Sequence, residues 1–170
     1  MSAFEEGMAR KVLIPSLFGY VKKTIGTGDS TSTKWTSERF FTEIQKLGKP
    51  EIIKQINNLF EFSRKYSDDL SWGRGTQTGS FTFRKKVLGA MISIFSVETN
   101  GHIYIRLDYI KQKVTSEVFR ALISEINSLP EIKISDVDQY PYLNPILTKD
   151  EYLNKFEDII LRLLEQAKQE

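Results

Sequence analysis

The stretch Ala90-Met-Ile-Ser-Ile-Phe-Ser-Val-Glu-Thr-Asn-Gly-His-Ile-Tyr-Ile-Arg-Leu-Asp-Tyr-Ile-Lys111 decides the fold. Two runs rich in β-branched and aromatic residues, 90–98 and 102–111, flank Asn100-Gly101. Asn-Gly suits a two-residue type I′ turn, because both central residues there need positive φ. The expectation is a tight antiparallel hairpin with Thr99 opposite His102. Counting outward, one face carries Ile92, Ile94, Ile103, Ile105, Leu107 and Tyr109. Fully burying such side chains, at about 1.5–3 kcal/mol each, supplies on the order of 10 kcal/mol and fixes the register. The opposite face sets Val97 against Tyr104, Phe95 against Arg106 and Ser93 against Asp108, with His102 at the turn. A slip of one residue would turn Tyr104, Arg106 and Asp108 inward.

Working outward, Leu70-Ser-Trp72 and Ser80-Phe-Thr-Phe-Arg84 alternate and complete a four-stranded antiparallel meander. Upstream, a helix opening at Thr36 or Ser37 carries Phe40, Phe41, Ile44 and Leu47, with Gly48 just past its end. Pro50 opens a second helix with an apolar stripe of Ile52, Ile53, Ile56, Leu59 and Phe60. Downstream, Thr115 or Ser116 starts a helix that closes before Pro130, and Thr148-Lys-Asp-Glu151 reads as a capping box for the last one. The fold class expected is α+β, in the order ααββββαα, with helices packed on one face of the sheet. Residues 1–33 are read separately. Two helical stretches broken by Pro15 lead into the turn-forming run Gly26 to Thr33, a linker, before a single domain over 34–170.

Composition narrows the function classes. With 24 basic and 22 acidic residues the net charge is +2, so contact with nucleic acid or membrane must come from local patches. There is no cysteine, which excludes disulfides, thiolate ligands and a cysteine nucleophile. His102 is the only histidine. The N-terminus has two glutamates before its first basic residue and no long apolar run, so neither a signal peptide nor a membrane span is expected. A cytoplasmic protein without membrane partners follows as the expectation.

Trp72-Gly-Arg-Gly-Thr-Gln-Thr-Gly-Ser-Phe81 is the densest unusual patch. Its glycines call for positive φ or for something approaching the backbone closely. Arg74, with Arg84, Lys85 and Lys86, would complete an anion-binding corner. The spacing is not that of a nucleotide fingerprint, and Gly26-Thr-Gly-Asp-Ser-Thr31 lacks the lysine of a phosphate loop. The W-G-x-G-x-x-x-G-S-F pattern follows an isoleucine- and phenylalanine-rich helix and precedes a G-x-(I/Y)-x-(I/L) strand. It resembles a poorly characterised prokaryotic domain found at the C-terminal ends of predicted restriction-type nucleases and in stand-alone proteins of unknown function. The resemblance spans roughly residues 36–165 and brings no catalytic residues. It implies only a nucleic-acid or defence-system setting.

An enzyme reading finds little. A restriction-type nuclease needs converging carboxylates and a D/E-x-K strand. Glu98 and Asp108 point to opposite faces in the expected register, and Asp68-Asp69 and Asp136-Val-Asp138 read as turn residues. Tyr104, His102 and Asp108 share a face, but a single histidine is thin ground for acid–base chemistry. No catalytic, cofactor or metal residue is assigned. The binding set is Trp72, Arg74, Arg84, Lys85, Phe95, His102, Tyr104 and Arg106. Arginine and lysine would neutralise phosphates, and the aromatic rings would stack on bases. The leading expectation is a non-catalytic, nucleic-acid-associated accessory module. The alternatives are a protein-interaction or oligomerisation domain, or a metal-dependent hydrolase.

Overall fold

The computed structural model describes residues 33–168. Apart from Thr33, the segment and linker expected over 1–33 lie outside the described residues. Helix α1 (Ser37–Ile44) starts where the Thr36 side chain accepts the Arg39 N–H, and its 3-10 extension ends on Gly48 at φ 63°. Helix α2 (Pro50–Tyr66) begins on a proline, whose missing N–H needs no partner there. Four strands follow, β1 (Asp69–Trp72), β2 (Ser80–Val87), β3 (Ala90–Glu98) and β4 (Ile103–Ile105), paired antiparallel in sequence order. A single helical turn α3 (Leu107–Ile110), helix α4 (Ser116–Asn127) and helix α5 (Asp150–Lys168) complete the order. Lys54 and the buried Gln55 on α2 both bond the Asp150 carboxylate, which ties α5 to α2. The α+β meander with flanking helices is the architecture the sequence pattern implies.

One face of the sheet is core. Phe81, Phe83, Phe95, Val97, Ile103 and Ile105 are all fully buried there. Helix α1 meets it through Phe40, α2 through Phe60 and Phe62, and α5 through Phe156, with ring centroids 5.3–5.9 Å from their strand partners. Three of these pairs are edge-to-face and Phe62–Phe83 is stacked, and such pairs add about 0.5–1.5 kcal/mol each beyond the area they bury.

The hairpin departs from the expected register by one residue. Glu98, not Thr99, donates to the His102 carbonyl (2.8 Å), leaving the three-residue loop Thr99-Asn100-Gly101. Gly101 sits at φ 87° and its N–H bonds the Glu98 carbonyl (3.0 Å), the geometry of a turn closed by one left-handed residue. Thr99 is drawn into this loop by β2. Its N–H bonds the Gly79 carbonyl (2.9 Å) and its hydroxyl accepts the Gly79 N–H (3.0 Å). The observed pairs are therefore Val97 with Ile103, Ser96 with Tyr104 and Phe95 with Ile105. A bulge compensates. Phe83 pairs with Phe95 and Arg84 with Ser93, so Ile94 is an extra residue in β3. That insertion restores phase, and Ile92 and Ile94 stay buried with Ile103 and Ile105.

Two further differences follow. The strand expected over 102–111 ends at Ile105, because α3 takes over at Leu107, and Tyr109 turns outward at 41% exposure. The two-residue turn with both φ positive lies instead at Leu88 (50°) and Gly89 (81°), between the paired Val87 and Ala90.

Candidate ligand-binding surface

The sequence-derived residues separate into three places. Phe95 is fully buried, with its ring 5.1 Å from Phe83 and 5.4 Å from Phe156. The shifted hairpin register is what turns it inward, opposite Ile105 and Phe83 on the core face, so it offers no ring to a ligand and drops out of the binding set. Trp72 is partly buried against the core, its ring within 6.0 Å of Phe40, Phe60 and Phe81. Arg74 lies exposed in the loop between β1 and β2. Arg84 and Lys85 lie at the far end of the same strand pair, where Arg84 bonds Asp69 (2.9 Å) and Lys85 bonds Asp68 (3.2 Å) and the Tyr66 carbonyl (2.8 Å). At about 3.3 Å per strand residue, roughly 15 Å of β2 separates this end from Gly79. The anion-binding corner does not assemble.

The glycine motif has a packing explanation. Among its glycines none has positive φ; close approach is what requires them. A Cβ on Gly79 would fall within the Trp35 indole, one on Gly73 would meet the Ser80 hydroxyl, and one on Gly75 the Thr78 carbonyl. Trp35 also donates its indole N–H to the Gly75 carbonyl (2.6 Å) and its backbone N–H to Gly73 (2.9 Å). Trp35 is buried at 3% exposure, so the loop is clamped around it.

Tyr104, Arg106 and His102 do come together, at the β4 edge. Residues 139–143 run alongside that strand. The Ile105 N–H bonds the Pro141 carbonyl (3.2 Å), the Leu143 N–H bonds Ile103 (2.8 Å), and the Asp108 N–H bonds Gln139 (3.0 Å). This lays Tyr142 opposite Tyr104 in an antiparallel bridge. In extended chain, residues two apart share a side, so Tyr140 and Tyr142 both reach Tyr104, at 6.4 and 5.8 Å between centroids. Tyr140 and Tyr142 are 57% and 58% exposed. Together with Glu98 and Arg106 the three tyrosines line a recess of about 310 Å³.

Electrostatics at the recess is set by one pair. Arg106 donates from Nε (3.1 Å) and Nη2 (2.8 Å) to the two oxygens of Asp108. Its guanidinium lies 4.3 Å from the Tyr109 ring centre and 5.9 Å from that of Tyr140. The Asp108 hydrogen bonds raise the Arg106 pKa above its ordinary value, with burial opposing. His102 flanks the set, 4.9 Å from Tyr142. Asn144 accepts the Ile103 N–H through Oδ1 (2.9 Å), which turns its amide nitrogen toward His102 Nδ1 (3.2 Å). Neutral His102 thus carries its proton on Nε2.

Sequence reasoning missed Tyr140, Tyr142, Tyr109 and Glu98. The legible signal was Tyr140-Pro-Tyr142, an extended dipeptide spacing that aims two rings to one side. Among the described residues no three histidine, aspartate or glutamate side chains converge to hold a metal ion. No helix among them is long and apolar enough to cross a membrane. No protein-family model matches the chain, and no curated protein or solved structure does.

Proposed function

We propose that this domain is a non-catalytic binding module that grips a protein partner through the Tyr104–Tyr140–Tyr142 surface. The carrying observation is the pairing of solvent-facing tyrosines with a cation already neutralised by its own carboxylate. Exposed tyrosine and arginine grouped around a shallow recess match the composition of protein-interface anchors. Tyrosine brings large area at small entropy cost, having only two side-chain torsions to fix.

A nucleic-acid partner, the leading expectation from sequence, keeps its stacking rings but loses its electrostatics. Arg84, Lys85 and Arg106 each bond a carboxylate, and Glu98 adds negative charge beside the rings. Phosphate contacts dominate affinity for nucleic acid, so such a surface is poorly equipped for it. Any oligonucleotide binding here would rest on base stacking and depend only weakly on salt.

Amide chemical-shift mapping of the full chain tests the reading. A panel of short capped peptides and a short oligothymidine are titrated separately. Peptides should perturb residues 102–106 and 140–143 saturably, and the effect should disappear in the Tyr140→Ala/Tyr142→Ala double variant. A panel that leaves this surface untouched, or an oligothymidine that saturates it below every peptide, overturns the reading.

A further inference from the structure

We propose that the recess between Tyr104, Tyr140 and Tyr142 receives a basic side chain, arginine or lysine, presented by the partner protein. This rests on the binding-module reading above and specifies what the module grips. Three features of the recess carry it.

The first is ring geometry. Tyr104 stands at 87° to Tyr142 and 64° to Tyr140, so the rings form a corner rather than a flat platform. A cation seated in such a corner meets negative π-density from more than one side. The second is charge. Glu98 lines the same recess, and its carboxylate has no ion-pair partner among the described residues. Arg106 is also on the wall, but Asp108 cancels it, so Glu98, Arg106 and Asp108 together leave one negative charge. The third is precedent within the molecule. The Arg106 guanidinium already rests 4.3 Å from Tyr109, so tyrosine at this edge accommodates a cation. A void of about 310 Å³ has room for one such head group and its methylene stem.

The occupant is then a positive group with an apolar stem, the amphipathic character of lysine and arginine. An acidic or purely aliphatic anchor would leave the Glu98 carboxylate facing a like charge or desolvated without a partner.

The full chain, isotope-labelled, is titrated with acetyl-Gly-X-Gly-amide peptides in which X is arginine, lysine, glutamine or glutamate. Arginine and lysine peptides should shift the Tyr104 and Tyr142 amides with apparent affinities roughly threefold or more above the glutamine peptide. Glu98→Gln should remove that preference, and raised salt should shrink it. Tyr142→Phe should retain it and Tyr142→Leu should lose it, which separates the ring from the fold. Equal binding of arginine and glutamine peptides, or a Glu98→Gln variant that binds as the parent does, overturns the inference. Such an outcome leaves the module reading intact if the peptides still map to the tyrosine surface. Silence from every peptide there sinks both.

Discussion

Tyr104 and Tyr142 face each other across a single antiparallel bridge, their ring centroids 5.8 Å apart and their planes close to perpendicular. One ring comes from the last strand of the sheet and the other from a proline-flanked segment far along the chain. The surface therefore exists only while residues 139–143 stay docked on β4.

Removing the outer ring should cost affinity more than stability. Tyr142 is 58% exposed, so Tyr142→Ala should lower folding stability by about 0.5–1.5 kcal/mol, the worth of an aromatic pair. Chemical denaturation measures this. A loss well above that range would mean that Tyr142 anchors the 139–143 segment rather than lining a site.

Phe95 makes the contrasting case. Phe95→Ala should cost about 3–5 kcal/mol, since a fully buried ring leaves a cavity between Phe83 and Phe156. A near-neutral result in urea unfolding would contradict the inward placement that pairing with Phe83 and Ile105 imposes.

The two hairpin turns should respond in opposite ways. Leu88 holds φ 50° with its side chain 59% exposed, a conformation that asparagine adopts more readily. Leu88→Asn should stabilise by about 0.5–1 kcal/mol. Gly101→Ala should destabilise by about 1–2 kcal/mol, because φ 87° is closed to a β-carbon. Melting temperatures of the two variants, shifted in the same direction, would refute this.

Gly79→Ala tests the motif as a packing device. Its Cβ would overlap the Trp35 indole, and overpacking of this kind costs about 1–3 kcal/mol. The Trp35→Ala/Gly79→Ala double variant should lose less than the sum of the two single losses, a coupling visible in a double-mutant cycle, and strict additivity would refute it.

Acidity reaches stability through Glu157 on α5. Burial, with help from the neighbouring Asp158, pushes its carboxyl up to about 7 from an ordinary 4.5. The folded state then holds a proton that the unfolded chain releases near its ordinary value. The contribution is fully present below about 4.5 and is lost as pH rises toward 7. Solvent screening of a half-exposed group reduces the effect to on the order of 1 kcal/mol. Glu157→Gln should flatten the stability profile between these pH values, as read by denaturation midpoints.

Much of this fold was legible because period and composition speak locally. Ile56, Leu59 and Phe60 announce a helix face, and the alternation of Ser80 to Arg84 announces a strand. The turn chemistry misled for a tertiary reason. Asn100-Gly101 is ideal for a two-residue loop, yet Thr99 bonds Gly79 and is pulled into the turn. Leu88-Gly89 has poor chemistry and forms the tight turn anyway, because the strands on either side register there. The bulge at Ile94 carries no local signature, and without it strict alternation buries either Ile94 or Phe95 but not both. Tyr104 and Arg106 stand out in the sequence because both fall in the one alternating stretch expected as a strand, although β4 ends at Ile105. Tyr140 and Tyr142 were hidden in a proline-punctuated stretch that joins the sheet only through contacts distant in sequence.

The lone bridge at Tyr142 also governs how the sheet can grow. Beyond β4 the backbone offers one paired step before it curls into a 3-10 turn at Asn144–Leu147, too short a rail for another chain to zip along. A partner meeting this border would therefore be held by side chains rather than by strand addition.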